Sequence, residues 1–508
     1  MSTAECLAFD FFRLYTTHQL PGCSKWSHSW DKLVLENALR EPAIRHAVVA
    51  LASLHRAITI RQTGSSRVDL DQHELALAQY NKSITYIKTY IGALDSCSTY
   101  SQDNIEVILI VSLLFFCFEL LYCNDAKAGN HLYTGLRILH ERMQDSSKGD
   151  SLSHDIVVPV TPRDNIGILV RAFIELDYDG TVESPDMDQP YLTPLCLEEM
   201  PSAFASIDEA MVHLYALIAR VWDSARETMR ISKIDIGQRY DLEAMDPLIR
   251  SCLTAANLRR LDTTGHEAHK AKFMSTKQDL RKWMSAFATL QPPEHEDPTH
   301  AMARIHFFNV WLSVESHFDA SESAIDRFHT QFEHLTKTCE TYTQRFWSAE
   351  PHIPFDPKLP SSHTRPAFAL GSGILECLYL IALKCRESSI RRRCIQLIRF
   401  SNFQGAFDAF YLAAMVEAVV DLEEERARRL LGVSEWDEFK DYEVPEEARI
   451  LNVELDMGGD SDKHTFYKRD VGSFVYHIWA DGLGSELERG EGVFVVERPL
   501  PSGLDLVR

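Results

Sequence analysis

Between Pro42 and Ile58 apolar residues return at steps of three and four: Ile44, Ala47, Val48, Leu51, Leu54 and Ile58. That spacing gathers them on one face of a 3.6-residue helix, with Arg45, His46 and Arg56 off the face. Pro42 suits the first turn, where its missing N–H leaves nothing unpaired. A buried amphipathic helix is therefore predicted over Glu41–His55. Tyr80, Ile84, Ile87 and Ile91 make a second stripe, and Leu132, Leu136, Leu139 and Met143 a third. Further helices are predicted over Met211–Met229, Phe273–Leu290, Ala301–Phe318 and Phe328–Phe346. The run Val107–Phe118, VILIVSLLFFCF between Glu106 and Glu119, has no polar face. It is too short to span a bilayer and reads as a fully buried helix.

Three segments break this pattern: 145–154, rich in Ser, Asp and Gly; 179–201, rich in proline and acids; and 350–366, with five prolines. After Pro445 the period changes. Ile450, Val453 (after a slip) and Leu455 alternate with polar residues, and Gly458, Gly459 and Asp460 make a turn. HTFYKRD and SFVYHIWA, with Phe466, Phe474, Tyr476 and Ile478, read as extended, and VFVVERPL from Val493 as one more strand. The predicted fold is mainly α: an antiparallel multi-helix body over residues 1–440 and a small C-terminal β-hairpin element over 441–508 packed on it. No fixed-period helical repeat is found.

With 508 residues, 45% hydrophobic and 25% charged, the chain has the composition of a globular protein with a large core. Its eleven cysteines run from Cys6 to Cys394 without a regular framework, and no secretory signal precedes them. Reduced thiols inside a cell are expected. The formal net charge of −22 repels phosphate backbones and anionic membrane surfaces alike. Two short basic patches, Arg391–Arg393 and Arg426, Arg428 and Arg429, read as solvated helix faces, the second paired with Glu423, Glu424 and Glu425 at helical spacing.

Chemistry-bearing motifs are scarce. A binuclear zinc cluster needs six thiolates in two tight groups, and no two cysteines here are separated by only two residues. Cys117, Cys123, Cys377, Cys385 and Cys394 read as buried free thiols in apolar helices. His266 and His269 lack the four-residue step of a metalloprotease helix, and His295 stands alone with Glu296. Gly371-Ser372-Gly373 has no lysine at phosphate-loop spacing, and no nucleophile elbow occurs. Asp421, Glu423, Glu424 and Glu425 are expected to face solvent, with Val419, Val420, Leu422 and Leu430 facing the core. No catalytic, cofactor-binding or metal-ligating residue is predicted.

The order of several blocks carries a resemblance. LAFDFFRLYTTHQLPG leads to SWDKLVLENALREPAIRHAVVALASLH, then ALAQYNKSITYI, then ILIVSLLFFCFELLYCNDAKAGNHLYTGLRIL. Late in the chain come FQGAFDAFYLAAMVEAVVDLEEE and VPEEARILNVELDM, followed by the strand with Trp479. In this order they resemble the regulatory region of fungal-specific transcription factors, the helical part that usually follows a binuclear zinc cluster. The resemblance implies a nuclear regulator of transcription, often of secondary-metabolite gene clusters. Met1 lies a few residues before the helical region and no zinc cluster or basic arm is present, so DNA binding is not carried over. Action through protein partners is expected, such as a DNA-binding transcription factor, with no membrane role and with dimerisation left open. Two other readings stay open. One is a helical receptor whose interior, with Phe115, Phe116, Phe118 and Met211, takes a small apolar ligand. The other is an enzyme whose site forms only in three dimensions.

Overall fold

The computed structural model describes residues 1–17, 25–62, 66–96, 102–122, 124–147, 164–183, 200–237, 267–290, 298–316, 321–347, 367–369, 373–401, 403–405, 408–433, 444–455, 471–479 and 487–496. Mainly helical, it packs its helices around two hydrophobic cores that share one wall.

Helix α1, Thr3–Phe11, opens on a capping box. The Ser2 hydroxyl accepts from the Glu5 N–H and the Glu5 carboxylate accepts from the Ser2 N–H, which satisfies two otherwise orphan donors. A π-helical turn, Phe12–Thr16, continues it. After α2 (Lys25–Arg40) comes α3, Pro42–Gln62, with Pro42 as its first residue and the predicted stripe buried from Ile44 to Leu54. Val49, Ala50 and Ala52 are also buried, so α3 lies deeper than a one-sided stripe requires. In α4 (Ser66–Ser96) the second stripe fades a turn early: Ile87 is buried, but Ile91 is exposed.

The apolar run becomes α5, Gln102–Leu121. The structure corrects its length: Asn104–Leu121 is long and apolar enough to cross a membrane, and 94% of it is buried inside the fold. It packs against α3, α4, α6 (Asp125–Ser147) and α7 (Asn165–Glu183). Its end carboxylates are held by neighbours. Glu106 accepts from Asn37 and Asn165 at 3.0 and 2.9 Å, and Glu119 accepts from the Tyr80 hydroxyl at 2.7 Å. Helices α6 and α7 meet closely at Gly135, where a Cβ would stand 2.3 Å from the Phe173 ring. Both helices run into segments expected as loops, to Ser147 and Glu183; the remainder of 145–154, residues 184–199, and all of 350–366 lie outside the described residues.

Helices α8 (Ile207–Gly237), α9 (Glu267–Ala288) and α10 (Pro298–Ser316) complete the first core. Trp283 stacks between Phe287 and Phe307 and donates to the Ala210 carbonyl at 2.8 Å. Helix α10 is apolar on opposite sides. Ala303, Phe307, Val310 and Val314 join the first core, while Ala301, Met302, Ile305, Phe308 and Leu312 join the second.

The second core adds a 3-10 turn (Glu322–Phe328), α11 (His329–Tyr342), α12 (Leu375–Lys384), α13 (Ser388–Ser401) and α14 (Ala409–Leu431). Asp408 caps α14 by accepting from the Tyr411 N–H, and Gly432, at φ 65°, ends it in the left-handed conformation that favours glycine. A short parallel pair, β1 (Ala367–Ala369) with β2 (Phe403–Gly405), lies between these helices in sequence.

The expected C-terminal hairpin is a three-stranded antiparallel sheet: β3 (Ile450–Leu455), β4 (Val471–Trp479) and β5 (Leu487–Val495). The register slips between Ile450 and Asn452, as the broken alternation predicts, while HTFYKRD lies outside the described residues. Strand β5 begins six residues earlier than Val493, the start expected from sequence. Its glycines leave room for aromatic rings from β4: a Cβ on Gly490 would fall 2.2 Å from Tyr476, and one on Gly492 2.3 Å from Phe474. The inner face settles on α14 through Phe474, Ile478 and Phe494, the last ring meeting Tyr411 edge-on at 4.8 Å.

Candidate functional site

Helices α13 and α14 each carry charge on their apolar side. Arg391 lies three and seven residues before the buried Cys394 and Ile398, and Glu423 lies three and four residues after the buried Val420 and Val419. Helical geometry therefore sends both side chains toward the core. They meet there. Arg391, with no exposed surface, donates to Glu423 Oε1 at 3.1 Å and to the Ala382 carbonyl at 2.9 Å. The Arg386 Nε lies 3.0 Å from the same carboxylate oxygen, and its Nη1 donates to the Leu383 carbonyl at 2.7 Å. The other oxygen of Glu423 accepts from the backbone N–H of Ile450, the first residue of β3, at 3.0 Å. One buried carboxylate thus ties α12's end, α13, α14 and the sheet together.

A second buried carboxylate, Glu322, extends the network. It accepts from Lys384 Nζ at 2.9 Å and lies 3.6 Å from Arg386 Nη2, while Lys384 also donates to the Leu451 carbonyl at 3.2 Å. The 3-10 turn that carries Glu322 is capped from a distance. The Glu446 carboxylate accepts from the Glu322 and Ser323 N–H groups at 2.6 and 2.8 Å. Arg449 grips Asp326 with two bonds of 2.8 and 2.7 Å, the fork geometry that carboxylate recognition favours. Outside this centre Arg392 reaches Asp421 and Glu424, and Arg393 reaches Glu340.

The structure therefore overturns the solvated-face reading of Arg391–Arg393 and of the Asp421–Glu425 cluster. Arg391, Glu423 and Glu424 are buried, Arg392 and Arg393 half-buried, and each arginine has a carboxylate partner from another element. Of this cluster Asp421 is 61% exposed, and only the exposed Glu425–Arg429 pair keeps the predicted helical spacing to its partner. Sequence reading missed Glu322, Lys384, Arg386, Asp326 and Arg449 altogether, because their partners lie 62 to 123 residues away or, for Arg386 and Glu423, on another helix. The usable signal was the phase of the stripes, which places Arg391 and Glu423 among apolar positions.

This network is built for cohesion. Removing two charges from water costs several kcal/mol per ion, and only well-formed pairing with further hydrogen bonds offsets it. Burial lowers the Arg391 pKa, and the Glu423 charge opposes that shift. Other groups are equally unsuited to proton traffic. His55, hydrogen-bonded to Thr16 at 3.0 Å, and His306 are lowered to about 4 by burial. Cys377 is raised by its hydrogen bond to Cys339 and by burial, Cys385 is raised to about 11 by burial, and Cys394 is raised as well. Protonated buried thiols are poor nucleophiles and poor metal ligands. Among the described residues no group of three His, Cys, Asp or Glu side chains has the arrangement to hold a metal ion.

The other sequence candidates separate. His269 lies in the first turn of α9, whereas His266, His295, Gly371, Ser372 and Cys123 lie outside the described residues. Phe115, Phe116, Phe118 and Met211 are all buried in the first core, with the Tyr80 ring 4.5 Å from Phe115 and 4.4 Å from Phe118.

The packed helices and the buried ion network define a large helical scaffold. The chain belongs to the fungal specific transcription factor domain family, whose profile matches residues 10–346. It is similar to the aspercryptin biosynthesis cluster-specific transcription regulator atnN of Emericella nidulans. The two are 24% identical over 532 aligned positions, which cover 93% of this chain and 82% of that protein. No solved structure matches the chain.

Proposed function

We propose that this protein regulates transcription of a biosynthetic gene cluster, from within the nucleus and through protein partners, among them a DNA-binding transcription factor. The family match over residues 10–346 carries this reading, and the cluster-specific regulator that aligns with nearly the whole chain supports the cluster assignment. The net charge of −22 favours protein contacts over direct contact with phosphates. These 508 residues contain no pair of cysteines at zinc-cluster spacing, and in the proposed role a partner supplies the contact with DNA. The family is one of transcription regulators and points away from an enzyme.

Deleting the gene and measuring transcripts genome-wide tests the regulatory role. Coordinated change across one biosynthetic cluster is expected; an unchanged transcriptome under producing conditions defeats it. A fluorescent fusion is expected in nuclei. The tagged protein should co-purify with a DNA-binding factor, and the purified chain alone should give no specific gel shift at physiological salt. A specific shift by the purified chain overturns the partner mechanism and leaves the regulatory role standing.

A further inference from the structure

Helix α9 buries Phe273, Leu280 and Trp283 in the first core and turns its other side outward. Along that outer side Lys270, Met274, Lys277, Arg281, Met284 and Ala288 follow at alternating steps of four and three. Such steps set them in one line, about 27 Å long, with the spacing of a seam along which a second helix packs. The line is open: Met274 and Met284 are 50% and 47% exposed, and Lys270 and Arg281 are exposed beside them. Glu315 of α10 borders it, 2.7 Å from Lys277 Nζ and 3.3 Å from Arg281 Nη2. Three cations thus share one carboxylate, on a chain whose net charge is −22. No carboxylate among the described residues pairs with Lys270. This lysine also stands in the first turn of α9, the end at which the helix dipole favours an anion, so it does nothing for the stability of its own helix. Methionines between the cations supply flexible, polarisable contact surface of the kind used to receive a partner.

We propose that this line is the docking seam for an acidic amphipathic helix of a partner protein, whose apolar stripe covers Met274 and Met284 and whose flanking carboxylates meet Lys270 and Arg281. The inference gives the chemistry of one partner and rests on the partner mechanism proposed above. A second copy of α9 does not fit the seam. Laid antiparallel with its methionines matched, it sets Lys277 against an arginine twice; laid parallel, it sets each cation against its own counterpart. A phosphate backbone gains nothing from the two methionines, and the charge of the whole chain repels it. An acidic amphipathic helix satisfies both halves of the pattern. Its charge guides the encounter and fixes the register, and burial of the methionines supplies the affinity.

Fluorescence anisotropy of a labelled synthetic helix with the purified full chain tests the seam. The probe has roughly three heptads, with leucine at the two seam positions and glutamate at the positions flanking them. Its control carries lysine in place of every glutamate. Saturable binding of the glutamate probe is expected, weakening as salt rises, with none of the lysine probe. Lys270→Glu should weaken binding by about fivefold and Met274→Ser/Met284→Ser by about tenfold, with the urea midpoint unchanged because all three side chains face solvent. Lys270→Glu/Arg281→Glu should take the lysine probe instead. A glutamate probe that does not bind overturns the proposal, as does one that binds these variants as well as the unaltered chain. A DNA duplex and vesicles of phosphatidylserine, run beside the peptides, should not bind; binding of either that Lys270→Glu/Arg281→Glu abolishes assigns the face to phosphate and overturns the proposal too. None of these readouts involves transcripts, so their failure removes the seam and leaves the regulatory role to its own test.

Discussion

Helix α5 carries carboxylates near its two ends, where Glu106 and Glu119 find neutral partners on surrounding helices, and its apolar middle fills the first core. In the second core, Arg391 and Glu423 lie at the centre of the packing and touch four separate elements. The first arrangement tolerates changes of shape gradually, since dispersion and burial are spread over many contacts. The second concentrates its orientation in a few directional bonds. An apolar core can repack around a smaller side chain, but a buried charge stripped of its partner has no substitute solvent. The ion network therefore fixes how the sheet, α12, α13 and α14 sit against one another, and α5 supplies bulk cohesion.

That contrast can be broken in order of severity. Glu423→Ala leaves Arg391 and Arg386 buried without their shared carboxylate and orphans the Ile450 N–H, so it should cost about 3–5 kcal/mol. Urea unfolding followed by tryptophan fluorescence measures the loss. If the network is only a charge-neutral spacer, the paired replacement Arg391→Met/Glu423→Leu should recover most of it, because well-packed apolar residues often match a buried ion pair. Leu114→Ala in α5 removes apolar volume without stranding any charge and should cost about 2–4 kcal/mol, read by the same titration. An equal or larger cost than Glu423→Ala would erase the proposed difference between the cores.

Acid sharpens the picture differently. His55 and His306 have folded pKa values of about 4, below the 6.5 expected for the unfolded chain. Between those values the unfolded state binds more protons, so stability falls as pH drops from 6.5 toward 4 and is flat above 6.5, with each histidine contributing up to about 3 kcal/mol. Urea midpoints at pH 7.5, 6 and 5 should show that decline, and His55→Asn should reduce its slope. The smallest effect belongs to the surface: Glu425→Ala opens the exposed pair with Arg429 and should change stability by no more than about 0.5 kcal/mol.

Periodicity made much of the helical body legible, down to Pro42 as the first residue of α3, because a one-sided apolar stripe has only one good solution. The C-terminal slip at Ile450 was legible for the same reason in a period of two. Less visible was the first part of β5, LERGEG, which shows no strand pattern until the Tyr476 and Phe474 rings are seen filling the space above its glycines. Least visible was the ion network. Runs such as RRR and EEE look like solvated helix by composition, and only their phase against neighbouring valines and isoleucines separates a buried charge from an exposed one. Glu322 and Arg449 carry no local signal of any kind, since their roles depend on chain segments that meet only after folding.

Helix α10 serves as a wall for both cores, and this limits how the protein can be divided. A fragment that stops at residue 297 would present an uncovered flank of the first core, and one that begins at residue 317 would do the same for the second. Overlapping fragments that each carry residues 298–316 would keep both halves covered, yet they could not then be rejoined, because only one copy of the helix fits between them. The protein is in this respect like two rooms with a party wall: either can be occupied alone, but neither can be detached without building the wall twice.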